Sequence, residues 1–153
     1  MKVEQNADAQ AVSSSQRVIE VNPQTDPRWE ALVTDLPTSL IYHHPAWLQV
    51  LEEAYGHKPV HLAYEDPTGQ LRGILPLFYR HGLRTGCSLN SLFHSSVAGP
   101  LAYDEQASIA LVQAAIERTT AKSGVQLHLK VMSNALDGLV DGMVGVLQDF
   151  VDE

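Results

Sequence analysis

Seven histidines and one cysteine are the residues whose types could do chemistry, and their spacing decides what chemistry. His57 and His61 stand four apart, a metal-ligand spacing on a helix, but Lys58-Pro59 between them breaks any helix that would place both on one face. His43 and His44 are adjacent and point apart, so no metal site is expected. Asp137, Asp141 and Asp149 do not match the spacing of a calcium-binding loop and offer too few oxygens. Cys87 opens an apolar strand with no basic neighbour closer than Arg84, which predicts a buried, inert thiol. Arg80, Gly82, Arg84 and Gly86 could form a basic, glycine-rich phosphate loop, yet the segment leads into a strand and not a helix, so a hairpin turn is expected. Signatures of the types GxSxG, GxxxxGK[ST], HExxH and GxGxxG are absent from the sequence.

One segment has more to offer. His94-Ser95-Ser96-Val97-Ala98-Gly99-Pro100 lies between an expected strand and a helix opening at Asp104. Its small residues permit close backbone approach, and the helix N-terminus beyond it favours a negatively charged group. His94, Ser95, Ser96 and Gly99 are therefore the candidate substrate-binding residues, with Trp47 and Tyr55 as walls. A structural loop closed by Gly-Pro is the competing reading and is favoured, since no charged group accompanies the segment.

The elements that must position these residues follow from the hydrophobic pattern. Val18, Ile19 and Val21 suggest a first strand. Asp26-Pro27 starts a helix with a capping side chain and a first-turn proline, and Trp29, Leu32, Val33 and Leu36 form its buried stripe. A second helix opens at Pro45, with Trp47, Leu48, Val50, Leu51, Ala54 and Tyr55 inward and Gly56 as its stop. Strands follow over 60–65 and 71–79, joined by the Asp66-Pro67-Thr68-Gly69 turn, with Pro76 marking a bulge or an edge. Another strand spans 87–93. A helix opens at Asp104 with Ile109, Val112, Ile116 and Thr119 in a stripe, and a strand over 126–132 alternates Leu127, Leu129 and Val131 with polar residues. The expected class is α/β, a mixed sheet in the order β-α-α-β-β-β-α-β, incomplete at its C-terminal end. Residues 1–16 read as a disordered tail, 17–135 as the domain, and 136–153 as a Gly- and Asp-rich loop or truncated strand, where Asp137-Gly138-Leu139-Val140 is nearly repeated at once.

Composition bounds the function. The 153 residues carry a formal net charge of -8, which argues against a DNA-binding surface. A lone cysteine excludes an internal disulfide framework. No run approaches the roughly 20 apolar residues of a membrane span, and the N-terminus has no signal-peptide pattern, so a cytoplasmic protein is expected.

Several segments together resemble the N-terminal lobe of FemAB-like proteins, in the GNAT (N-acetyltransferase-like) superfamily. Tyr42-His43-His44-Pro45-Ala46-Trp47-Leu48 is similar to the family's aromatic-x-x-Pro-x-Trp helix start, followed by Glu53-Ala54-Tyr55-Gly56-His57. Gly73-Ile74-Leu75-Pro76-Leu77 resembles the Gly-apolar-apolar-Pro-Leu strand, and Ala98-Gly99-Pro100-Leu101 the Gly-Gly-Pro loop. The resemblance covers about residues 17–135 and departs from the family at Ser96-Val97-Ala98. It implies transfer of an activated acyl or aminoacyl group to an amine, with acyl-CoA or aminoacyl-tRNA as possible donor and a small-molecule or cell-envelope (exopolysaccharide) precursor as acceptor. It also implies a truncated chain that needs a second GNAT-like lobe, or that self-associates through the surface left open. The alternative is a catalytically inactive half-domain acting as an interaction module.

Overall fold

The computed structural model describes residues 16–84, 86–91, 99–122 and 124–130. The elements run β1 (Arg17–Glu20), α1 (Pro27–Asp35), a 3-10 turn (Ile41–His43), α2 (Pro45–Tyr55), β2 (Lys58–Pro59), β3 (Leu62–Glu65), β4 (Leu71–Leu75), β5 (Phe78–Gly82), β6 (Gly86–Asn90), β7 (Leu101–Ala102), α3 (Glu105–Thr120) and β8 (Val125–His128). Among the described residues the fold is α/β, with two four-stranded sheets in the orders β1-β3-β4-β7 and β2-β5-β6-β8. Pairing is antiparallel except between β6 and β8, which run parallel across the α3 crossover.

One mixed sheet is expected from the sequence and two are found, because the long central hairpin is interrupted. Lys58 faces Tyr79 and Pro59 faces Phe78, and beyond the break Leu62 faces Leu75 in unchanged register. Between them Pro76 has no N–H to give. It falls where the outer neighbour of this strand changes from β7, paired at Gly73 and Ile74, to β6, paired from Phe78 onward. The bulge or edge expected at Pro76 is thus a change of partner strand. Val60 N–H still reaches the Leu77 carbonyl at 2.8 Å, while the Leu77 N–H turns to the His61 ring at 3.1 Å.

The helices begin where their caps place them. Asp26 accepts the Arg28 N–H at 3.1 Å, His44 accepts the Ala46 N–H at 3.2 Å, and Asp104 accepts the Ala107 N–H at 2.8 Å. Arg28 also binds Glu65 at 2.7 Å and the Gly69 carbonyl at 2.8 Å, tying the start of α1 to the β3–β4 turn. In α2 only part of the expected inward set is buried. Leu48 and Leu51 are enclosed, Trp47 is half-buried, and Val50 and Tyr55 are 54% and 47% exposed. The expectation over-counted because no element covers that side of the helix among the described residues.

The central hairpin is covered on both faces, as the strand alternation requires. Ala63 and Ile74 join Trp29, Leu32, Leu48, Leu51 and Phe78 under α1 and α2. Leu62, Leu75, Leu77 and Leu89 pack with Ala107, Leu111 and Ala115 of α3 on the opposite face. Each enclosed Leu, Ile or Phe contributes about 1.5–3 kcal/mol. The buried stripe of α3 is therefore Ala107, Leu111, Val112, Ala115 and Thr119, with Ile109 and Ile116 only half-buried. Small residues let α3 lie close to β4. A Cβ on Gly73 would stand 2.9 Å from the Ala102 Cβ and 3.1 Å from the Leu111 Cδ1. No helix among the described residues is long and apolar enough to cross a membrane.

Gly73→Ala forces helix and strand apart, and we expect it to lower stability by about 1–3 kcal/mol. Urea unfolding followed by tryptophan fluorescence measures this directly, and an unchanged midpoint would contradict the close approach of α3 to β4.

Candidate functional site

Helices α1 and α2 converge on the connecting segment 36–44, and an open groove of about 660 Å³ lies between them. Val33 and Thr34 of α1 form one wall, Ser39, Leu40 and Ile41 the end, and His44, Trp47 and Val50 the other wall. The lining is mostly apolar. Trp47 packs edge-on against Tyr42 at 5.8 Å, and its indole Nε1–H is buried with no hydrogen-bond acceptor among the described residues. Such a donor costs about 1–3 kcal/mol while it stays unmet. At the rim His44 commits Nδ1 to capping α2, so its Nε2–H faces the Glu30 carboxylate, 3.6 Å away.

The position of this groove depends on His43. The enclosed Trp29 gives its Nε1–H to the His43 carbonyl at 2.9 Å. The His43 ring accepts the Leu40 N–H on Nδ1 at 3.1 Å, which leaves Nε2–H to donate to the Gly99 carbonyl at 3.2 Å. These three bonds join α1, the 3-10 turn and the segment entering β7. Burial disfavours the charged ring and pushes the His43 pKa down, against the smaller upward pull of the bond to the Gly99 carbonyl.

His61 is held as tightly for a different purpose. Only 4% exposed, it lies 5.7 Å from the Trp29 ring and edge-on to Phe78 at 5.0 Å, with Nδ1 on the Leu77 N–H. Desolvation pushes its pKa down to about 3, so the ring is neutral at physiological pH.

Of the residues proposed from the sequence, Trp47 lines the groove. Tyr55 lies eight positions further along α2, roughly 12 Å at 1.5 Å per residue. Its exposed ring stacks on His57 at 6.1 Å, and it is not among the groove's lining residues. Gly99 is buried, its carbonyl occupied by His43. His94, Ser95 and Ser96 lie outside the described residues. The expectation that Cys87 is buried is corrected. Cys87 is half-exposed and its sulfur lies 3.1 Å from His81 Nδ1, its cross-strand partner in β5. That pairing was legible in principle, since Gly82 and Gly86 close the hairpin and the next facing pair is His81 and Cys87. Nothing in the sequence pattern marked His43 and His61 as enclosed, because burial of a lone histidine depends on what the rest of the chain packs over it.

No family model, curated protein or solved structure matches this chain.

Two buried neutral histidines make stability depend on pH in a defined direction. In the unfolded chain His61 takes up a proton as pH falls through its ordinary 6.5, whereas the folded ring stays neutral until about pH 3. The unfolded state binds more protons across that window, so stability falls by up to about 1.4 kcal/mol per pH unit below 6.5. His43 acts in the same sense. Lowering the pH from 7 to 5 should reduce the unfolding free energy in urea by about 2 kcal/mol or more, and His61→Asn, which keeps an acceptor for Leu77, should shrink that loss. A flat profile from pH 7 to 5 would show that neither ring is held neutral.

Proposed function

We propose that the chain is an acyl-transfer-related lobe of FemAB-like, GNAT-like kind that holds the acyl group of its substrate between α1 and α2. The observation that supports this reading is the apolar groove, walled by Val33, Leu40, Ile41, Trp47 and Val50. An acyl group is a largely apolar body, and the apolar lining of the groove suits it. In the transfer a primary amine adds to the activated carbonyl and the tetrahedral oxyanion collapses. The new C–N bond is kept, and the leaving group departs as the amine loses its proton. Positioning and oxyanion stabilisation carry most of the acceleration in such a reaction, so a strong general-base signature is not required. This reading gives the remaining machinery to a second GNAT-like lobe, with a small molecule or cell-envelope precursor as the amine acceptor. The net charge of -8 disfavours binding the phosphates of acyl-CoA or aminoacyl-tRNA, so the chain's share is the acyl group itself.

A second reading, an inactive interaction module, draws on Ile41 and Val50, 66% and 54% exposed at the mouth of the same groove.

The two tryptophans make the test direct. Titrating the 15N-labelled chain with the octanoyl thioester of N-acetylcysteamine should move the Trp47 indole cross-peak saturably and leave that of Trp29, already bonded to His43, in place. Trp47→Ala, which removes the largest apolar side chain of the lining, should weaken binding by a factor of roughly 5–30 in calorimetry. If the thioester moves nothing, or N-acetylcysteamine alone does as much, the acyl reading fails. Self-association abolished by Val50→Glu would then favour the interaction module.

A further inference from the structure

A second concavity lies away from the groove and shares no lining residue with it. Residues 20–24 at the end of β1, Glu52 of α2, Pro59 and His61 enclose a cleft of about 360 Å³. Its chemistry is polar and uneven. His61 spends Nδ1 on the Leu77 N–H, which leaves the proton of the neutral ring on Nε2. That Nε2–H has no acceptor among the described residues. Trp47 Nε1 is the one side-chain polar atom among them that is both sealed from solvent and partnerless. His61 Nε2, equally partnerless, is therefore reached from the cleft that its ring lines.

Acceptors flank this donor, beside the amide N–H2 of Asn22, whose own oxygen takes the Gln24 N–H at 2.9 Å. Gln24 gives its amide N–H to the Pro45 carbonyl at 2.7 Å and keeps its oxygen. Glu20 is partly neutralised by Arg118 at 3.2 Å, whereas Glu52 forms no ion pair among the described residues. The two carboxylates disfavour an anion. A metal ion meets the wrong face of His61, since the cleft side of the ring carries the proton and not the lone pair. Among the described residues no three of His, Cys, Asp and Glu are placed to hold one. A plain alkylamine would satisfy the carboxylates and leave the histidine donor unmet.

We infer that this cleft binds a compact primary amine bearing a neutral oxygen, an amino sugar or amino alcohol. The ammonium sits on the Glu52 carboxylate and a hydroxyl or carbonyl oxygen accepts the His61 Nε2–H. The first bond is charge-assisted, and the second uses a donor that no group of the chain satisfies among the described residues. Binding here does not require acyl transfer at the groove.

Glucosamine titrated into the full chain is the test, read by calorimetry and by the 15N shifts of the His61 ring. We expect saturable binding that moves His61 Nε2 while the Trp47 indole peak stays still. Glucose, which lacks the ammonium, should bind at least tenfold more weakly, and Glu52→Gln, a change at an exposed position, should cost about tenfold against glucosamine. Trp47→Ala should leave glucosamine binding unchanged. The inference is overturned if glucosamine leaves His61 unmoved, if glucose binds equally well, or if Glu52→Gln binds as tightly as the parent chain. It is also overturned if magnesium alone produces the same His61 shift.

Discussion

A proline in the middle of a covered strand leaves the Leu77 amide to be satisfied, and the fold is arranged around how that is done. Had Leu77 N–H been enclosed without an acceptor, the cost would be about 1–3 kcal/mol. His61, the residue facing Pro76 in the hairpin register, turns its ring inward and accepts that proton. The same residue gives its carbonyl to Val21 N–H at 3.0 Å, which extends the β1 pairing by one residue. One histidine thus joins β1, the two halves of the hairpin and the aromatic pair Trp29 and Phe78. Both sheets keep a common register because this junction holds them.

His43 does for the helical side what His61 does for the strands. Its carbonyl and both ring nitrogens are engaged, by Trp29, Leu40 and Gly99. The bond to Gly99 fixes the segment that leads into β7, and the bond from Trp29 fixes the turn over α1. The groove between α1 and α2 is a by-product of those constraints. The turn is held by its inner residue His43, which leaves Leu40 and Ile41 on the outside beside Trp47 and Val50. Both histidines gain these roles only by staying neutral, which couples the architecture to proton concentration.

The helix starts at Asp26, His44 and Asp104 and the Asp66-Pro67-Thr68-Gly69 turn lay in local chemistry, in caps and fixed φ angles, and a linear reading found their neighbourhoods. The inward set of α2 fails at Val50, Ala54 and Tyr55, because an apolar residue at helical spacing says which side it stands on and not whether anything covers that side. Trp47, named from the sequence as a wall for the 94–100 segment, lines the groove. Its unmet indole was not legible, since a missing acceptor is a property of everything around it. The partial exposure of Cys87 was not legible for a similar reason: its neighbour His81 comes from across the hairpin, six residues away.

The sequence by itself determined the class, the helices and their first turns, and the place where a strand must break, because each follows from a side chain acting on its own backbone. Tertiary structure decided the rest. It set the division into two sheets, the enclosure of His43 and His61, and the tautomers their neighbours impose. It also set the separation of an apolar groove from a polar cleft. These depend on contacts between segments 16 to 56 residues apart, such as His61 with Leu77 and His43 with Gly99. Burial and hydrogen-bond satisfaction are sums over all neighbours, and no local pattern carries that sum.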